Sequence, residues 1–184
     1  MKTQNVVQIL VYVGLVCLLA SCVADAQTVY DLNAWNGDIR ILGKSSNNTF
    51  GYRMACGDFN DDGKSDVLVV APGANCAYVF YGSDSFPADH VIDLAIENAD
   101  ITIVGRPSRS GYGMGIGDGV SRGDINADGI DDILLGSRYR DPFGRSWAGE
   151  AYVIFGRTNF PLNHVIDLNL TLPDITVYGD DADA

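Results

Sequence analysis

The stretch DFNDDGKSD, residues 58–66, decides the fold because it recurs as DINADGIDD at residues 124–132. In both copies an oxygen-bearing side chain stands at loop positions 1, 3, 5 and 9, and glycine stands at position 6. A solvated turn would explain one such stretch, since Asn, Asp and Gly are common turn formers. Repetition of the whole spacing indicates instead a loop that cages a cation.

Calcium is the ion that this spacing favours. It takes six to eight oxygen ligands at roughly 2.3–2.6 Å, and a glycine at the sixth position allows a sharp turn. Three neighbouring carboxylates repel one another until a divalent ion neutralises them. We therefore expect about two structural Ca²⁺ ions per chain. The predicted ligands are the side chains of Asp58, Asn60, Asp62, Asp66, Asp124, Asn126, Asp128 and Asp132 and the backbone carbonyls of Lys64 and Ile130. Asp61 and Asp131 lie off the ligand spacing and are expected to face solvent.

The flanks of the two loops argue against a helical calcium module. An EF-hand needs a glutamate at loop position 12 and a helix on each side, but that position holds Val69 in one copy and Leu135 in the other. The residues after each loop, 67–70 and 133–135, are short runs of branched apolar residues. Such runs are typical of strands that are buried on both faces.

Composition limits the class of partner. The chain has 184 residues, 47% of them hydrophobic, which is the size and content of an ordinary globular domain. Twelve basic residues stand against 24 acidic ones, for a net charge of −12. Nucleic acid is therefore excluded as the obvious partner, because its phosphates require an excess of Lys and Arg.

The first residues have the pattern of an export signal, with Lys2 ahead of an apolar run and small residues after it. Two processing sites remain open. Cleavage before Gln27 would make residues 1–26 a signal peptide, whereas Leu19 to Cys22 resembles a bacterial lipobox, which would make residues 1–21 the signal and Cys22 a lipid-bearing N-terminus. Either route leads to an extracellular or cell-surface protein, with membrane contact only through a lipid at Cys22.

Two cysteines, Cys56 and Cys76, remain after this leader. An oxidising compartment would allow them to pair, and a disulfide closing this span would contribute about 3 kcal/mol. The repeat does not require the bridge, because the second copy has Arg122 and Glu150 at the matching places.

A longer repeat surrounds the loops. IRILG at residues 39–43 recurs as ITIVG at 101–105 and ITVYG at 175–179, VIDL at 91–94 recurs at 165–168, and AYVFYG at 77–82 recurs as AYVIFG at 151–156. Each unit thus has about four short strands with Gly-rich turns, which is the pattern of a propeller blade. The predicted organisation is a first repeat at 27–90, a second at 91–164 and the start of a third at 165–184.

These units resemble the FG-GAP repeats of integrin-alpha-like β-propellers. Phe50-Gly51 matches the Phe-Gly of that family, and Val70-Ala71-Pro72-Gly73 matches its Gly-Ala-Pro. In the second unit Gly136-Ser137-Arg138 stands at the latter place, and the Phe-Gly equivalent near residues 110–124 is not identified. The resemblance implies an all-β fold, a partial β-propeller of FG-GAP blades, with calcium held structurally in the loop between the first two strands of a blade.

Two repeats are too few for a closed propeller, which typically has four to eight blades. Repeat stacks of fewer than three units bury little surface and leave sheet edges open. We expect the chain either to be a fragment of a longer propeller or to complete itself by self-association with further blades.

The expected function is binding rather than catalysis. His90 and His164 occupy the same repeat position, so duplication explains them, and the paired carboxylates are explained by calcium spacing. The sequence predicts a non-catalytic adhesion module for a protein or glycan ligand, displayed in part by the long segment 138–149. The alternative is a structural fragment of a larger secreted FG-GAP protein, with or without a catalytic domain elsewhere.

Overall fold

A computed structural model describes residues 39–87, 89–107, 115–158 and 160–180. The predicted leader, Cys22 and the segment 181–184 lie outside the described residues. The expectation of an all-β protein is confirmed, and the repeat strands within the described residues are present, whereas the start of the first repeat, residues 27–38, lies outside them. The strands are β1 Ile39–Leu42, β2 Arg53–Gly57, β3 Asp66–Ala71, β4 Cys76–Phe80, β5 His90–Asp93, β6 Ile101–Val104, β7 Gly119–Gly123, β8 Asp132–Ser137, β9 Glu150–Ile154, β10 His164–Asp167 and β11 Ile175–Tyr178.

The strands form two blades of a partial propeller. The first blade is the antiparallel set β2-β3-β4-β6, and the second is β7-β8-β9-β11. In each blade the first three strands follow one another along the chain, and the fourth arrives only after an intervening strand. The intervening strand β5 pairs in parallel with β1, and the intervening strand β10 pairs in parallel with β6. In both cases the partner is the fourth-position strand of the preceding unit.

The main core lies between the two blades. One face of β3, β4 and β6 supplies fully buried aliphatic side chains, including Leu68, Val79 and Ile101, since alternate residues of a strand point to the same face. The facing side of the second blade supplies Ile133 and Tyr152. The opposite face of the first blade packs in a second cluster, which contains Val69, Tyr78 and Phe80. β3 is therefore buried on both faces, as the sequence predicted.

The uncertain Phe-Gly position of the second unit is occupied by Ile116 and Gly117. Phe50 packs beside Tyr78 and Phe80, with ring centroids 5.9 and 6.5 Å apart. Ile116 belongs to the cluster that contains Tyr152. Gly117 has a positive φ of 115°, and Gly51 has one of 83°. The family motif is thus kept in position although the second unit replaces its aromatic residue by isoleucine.

Cys56 and Cys76 are free thiols, so the bridge that the sequence allowed is not formed. They lie on β2 and β4, on either side of β3, where Cys56 is opposite Val67 and Cys76 is opposite Ala71. Adjacent strands are about 4.8 Å apart, so two strand spacings exceed the Cα separation that a disulfide spans. Burial raises the pKa of the Cys76 thiol, which keeps it protonated.

None of the helices among the described residues is long and apolar enough to cross a membrane.

Candidate metal centres in the two aspartate loops

The two aspartate loops are hairpin connections at equivalent places in the blades. Loop 58–66 joins β2 to β3, and loop 124–132 joins β7 to β8. Both have left-handed backbone at loop positions 4 and 6, with φ of 60° at Asp61 and 61° at Ala127, and 79° at Gly63 and 92° at Gly129. Glycine adopts this conformation without steric cost, which accounts for its place at position 6.

The first aspartate of each loop accepts two backbone hydrogen bonds from across the turn. Asp58 accepts the N–H groups of Asp62 and Gly63 at 3.1 and 2.8 Å. In the second loop, Asp124 accepts those of Asp128 and Gly129 at 3.0 and 2.9 Å. The loops therefore have the same internal geometry despite different sequences between the shared positions.

The third and fifth positions are engaged with each other. The Asn60 amide donates to Asp62 at 3.2 Å and accepts the Asp62 N–H at 3.1 Å. Asn126 makes the same two contacts with Asp128, at 2.8 and 3.0 Å. Asp62 also accepts the Lys64 N–H at 2.9 Å, so position 7 is turned toward the loop. Ile130 makes the equivalent bond to Asp128 at 2.9 Å.

The ninth position is the buried anchor of each loop. Asp66 is 0% exposed and accepts the N–H groups of Phe59 and Gly82, both at 2.9 Å. Asp132, also 0% exposed, accepts those of Ile125 at 2.7 Å and Gly156 at 3.0 Å. Each carboxylate thus ties its loop to the segment after the third strand of the blade.

The pKa of Asp66 reflects this setting. Burial raises it from 3.8 to about 6, the bonds from Gly82 and Phe59 oppose the rise, and the charges of Asp62 and Asp58 add to it. The last effect shows that the loop carboxylates lie close enough to repel one another.

The loop residues fit a hard cation by chemistry. Their donors are all oxygens, which calcium and magnesium prefer over nitrogen or sulfur. Among the described residues, however, no three His, Cys, Asp or Glu side chains converge in an arrangement that holds a metal ion. The loop oxygens instead accept hydrogen bonds from loop N–H groups. The coordination set given from the sequence stays a prediction.

The two aspartates off the ligand spacing, Asp61 at position 4 of the first loop and Asp131 at position 8 of the second, have different surroundings. Asp61 is exposed, as predicted, but the prediction that Asp131 faces solvent is wrong. Its carboxylate accepts two bonds from the Arg122 guanidinium, both at 2.8 Å, and the N–H of Asp58 at 3.0 Å. The Asp131 N–H donates to the Asp58 carbonyl at 3.0 Å. Asp131 therefore fastens the second loop to the first, a contact between blades that spacing within one loop does not encode.

The recurring histidines have matching packing partners. His90 lies 5.9 Å from the ring of Phe86, and His164 lies 5.8 Å from the ring of Phe160. The two pairs have the same place in each unit, so packing accounts for the repeated histidine.

The connection between β8 and β9 displays aromatic rings. Phe143 is 79% exposed and Trp147 is 58% exposed, and both have positive φ, 56° and 60°. Left-handed backbone costs a bulky residue roughly 1–2 kcal/mol, so packing elsewhere in the loop must hold these rings. The Trp147 ring stands edge-on to Tyr139 at 5.6 Å, and the Phe143 ring lies 4.8 Å from Tyr178.

The buried carboxylate of Glu150, at the start of β9, contacts residues next to the β8–β9 connection. Glu150 lies 3.6 Å from Arg106 Nη1 and 3.6 Å from Arg140 Nε, and it accepts the Tyr152 hydroxyl. Burial and this hydrogen bond raise the pKa of Tyr152. A cavity of about 440 Å³ opens between the two arginines, Phe143 and Tyr178. The sequence analysis did not identify this cluster, because its members come from separate strands and loops.

Comparisons with known proteins agree with this architecture. The FG-GAP repeat family model matches residues 50–85 and 117–154. The chain is 30% identical over 144 residues to integrin alpha-3 of Cricetulus griseus, covering 71% of this chain and 12% of that protein. It is 28% identical over 133 residues to the phosphatidylinositol-glycan-specific phospholipase D of Bos taurus, covering 67% of this chain and 15% of the relative. The Dictyostelium discoideum phospholipase D of the same name is 25% identical over 175 residues, covering 83% and 18%. The chain thus spans less than a fifth of each of these relatives. Two blades, two matching loops and the family match together show that this chain is an FG-GAP repeat protein similar to the integrin alpha subunits.

Proposed function

We propose that this chain is an exported, calcium-stabilised propeller segment that binds a protein or glycan ligand and carries out no catalysis. The observation that carries the binding role is the pair of exposed aromatic rings, Phe143 and Trp147, held at positive φ on the connection 138–149. Aromatic side chains contribute large, rigid contact areas to interfaces and sugar sites. The integrin alpha relatives support the same class of function.

Calcium has a structural role in this proposal. The ion would be held by Asp58, Asn60, Asp62, Asp66 and the Lys64 carbonyl in one loop, and by their equivalents in the other. It would neutralise the clustered carboxylates whose mutual repulsion contributes to the raised pKa of Asp66. No catalytic step depends on it.

The two loops are expected to differ in calcium affinity. Lys64 Nζ lies 3.9 Å from Asp62 and 3.6 Å from Asp84, so an ammonium group already offsets part of the charge of the first loop. Ile130 takes its place in the second loop. We expect Lys64→Met to tighten calcium binding at one site by about fivefold, the size of an exposed ion pair. Isothermal titration with calcium measures both sites, and Lys44→Met, outside the loop, is the control. Equal tightening by both variants would show a general charge effect and contradict this assignment.

Loop exchange tests the binding role. The first unit joins β3 to β4 by the short segment Pro72–Asn75, whereas the second uses residues 138–149. Replacing residues 138–149 by Pro-Gly-Ala-Asn should remove binding to an array of immobilised glycans and extracellular-matrix proteins. The double variant Phe143→Ala/Trp147→Ala should lose most of the same signals and keep the calcium titration of the parent. Retention of every array signal after both changes would refute binding through this loop.

A structural role in a larger secreted protein is the second candidate. It is favoured by the small share of each relative that the chain covers, and by the phospholipase D relatives, whose names describe an enzyme. In that case calcium would still stabilise the blades, but the parent chain would bind nothing on the array. The export route and the anchor at Cys22 belong to this proposal as well, supported by the pattern of residues 1–26.

A further inference from the structure

The fourth-position strands of the repeat differ in how many neighbours they have. β6 is paired on both edges, antiparallel with β4 and parallel with β10. β1 and β11 occupy the same repeat position as β6, but in the described part of the chain each has only one of these neighbours. β1 pairs in parallel with β5, and β11 pairs antiparallel with β9. Among the described residues, β1 lacks an antiparallel neighbour on the edge that corresponds to the one by which β11 pairs with β9.

The pairing registers of these strands agree residue by residue. In β6, Ile103 is opposite Ala77 of β4, and in β11, Val177 is opposite Ala151 of β9. On the parallel side, Ile101 is opposite His164, and Ile39 is opposite His90. By this register, Ile41 of β1 would stand opposite Ala151 if β1 took the place of β11.

The faces next to these strands are open at the two ends of the structure. The residues of the first blade that pack against the second blade, such as Val70 and Ile103, are 0% exposed. Val177, which matches Ile103, is 56% exposed and lines a cavity of about 490 Å³ together with Gly136 and Ala151. At the other end, Ile39 and Ile41 line a cavity of about 410 Å³ with Val67 and Phe80. Among the described residues, therefore, no blade packs on the outer face of the second blade, and β1 has no antiparallel neighbour.

We propose that a second copy of this chain docks head to tail at this face, with β1 of one copy pairing with β9 of the other in place of β11. The strand that docks on β9 must occupy the same repeat position as β6 and must already have a parallel neighbour, as β6 has β10. β1 of a second copy meets both conditions, because it pairs in parallel with β5. This inference goes beyond the proposed ligand binding and does not depend on it.

β11 is the strand that is displaced, because it is the less firmly packed of the two. Ile41 of β1 packs against the cluster that contains Tyr78 and Phe80. No residue of β11 belongs to either hydrophobic cluster of the described chain. The exchange replaces the β9–β11 pairing by a β9–β1 pairing of the same register, and the docked copy then covers the open face of the second blade beside Gly136 and Ala151. The contact is heterologous, so copies add in one direction and either close a ring or form an open chain.

A register-specific disulfide tests the exchange. Purified protein carrying Ile41→Cys is mixed with protein carrying Ala151→Cys under mild oxidation. We expect a disulfide-linked dimer, because directly opposed strand residues lie within the reach of a disulfide. The control replaces Ala151→Cys by Ser121→Cys, on the exposed strand β7 of the same blade. Each variant alone gives the background from the exposed native Cys56.

Two proline variants should shift association in opposite directions. Thr176→Pro weakens β11 and frees β9, so the dissociation constant from sedimentation velocity should fall about tenfold. Arg40→Pro weakens β1 and should abolish association. A dimer at Ala151 but not at Ser121, together with these opposite shifts, supports the proposal. Equal cross-linking at both positions, or a monomer at all concentrations for the parent and for Thr176→Pro, overturns it.

Discussion

Asp66→Asn is expected to lower the free energy of unfolding by up to about 3 kcal/mol in chelator, where no cation contributes. The reason is that the buried N–H of Phe59 and the half-buried N–H of Gly82 both donate to this carboxylate. An asparagine amide offers one oxygen and one NH₂ group, so one buried N–H faces a donor, and an unsatisfied buried polar group costs about 1–3 kcal/mol. Urea unfolding followed by tryptophan fluorescence and circular dichroism measures the loss.

The matched control is Asp61→Asn in the same loop. Asp61 is exposed and has a φ of 60°, a conformation that asparagine tolerates well. Its stability should stay within about 0.5 kcal/mol of the parent. A different result would contradict the anchoring role: if Asp66→Asn were as stable as Asp61→Asn in chelator and less stable than it only with calcium, Asp66 would act as a metal ligand alone.

Asn75→Ala should be about as damaging, with a loss of about 3 kcal/mol in the free energy of unfolding. The Asn75 amide donates to the carbonyls of Gly105 at 2.6 Å and Arg106 at 3.2 Å, and its oxygen accepts the Ile116 N–H at 3.1 Å. One side chain thus connects the β3–β4 turn of the first blade to the segment that begins the second. Its removal leaves three backbone groups without a partner in a half-buried place.

Asn75→Gly separates the side chain from the backbone. Asn75 has a φ of 54°. Alanine adopts this conformation at a cost of about 1 kcal/mol, whereas glycine adopts it without that cost. Asn75→Gly should therefore be about 1 kcal/mol more stable than Asn75→Ala and still clearly less stable than the parent. Two variants of equal stability, both close to that of the parent, would contradict the bridging role.

Sequence reasoning identified the loops and strands because each pattern occurs twice. A single Asp-rich turn is ambiguous, whereas a second copy with the same glycine and the same following strand restricts the fold to repeated hairpins. The left-handed backbone at Gly63 and Gly129 agrees with that local spacing. Local chemistry was sufficient wherever the interacting residues lie within one hairpin.

Contacts between units could not be obtained in this way. Asp131 was expected in solvent, yet it binds Arg122 and the backbone of Asp58, a residue 73 positions away. Asn75 reaches Ile116 across 41 positions, and nothing in the PGAN turn indicates that partner. The free thiols of Cys56 and Cys76 likewise depend on strand order, which places β3 between them. Such contacts depend on how the two blades pack against each other, and the periodic pattern within each blade does not predict that packing.

The late arrival of β6 has a consequence for the order in which the chain folds during synthesis. The first blade lacks its outermost strand until residues 101–104 have left the ribosome, after the whole connection through β5 has been made. Until then the hydrogen-bonding edge of β4 is open on a nascent chain, which is the stage at which an apolar strand edge is most exposed to wrong partners. A pause in translation while Ile101 is still inside the ribosome and β4 is outside would prolong that exposure. A pause after Val104 has emerged would let the first blade complete before the second begins.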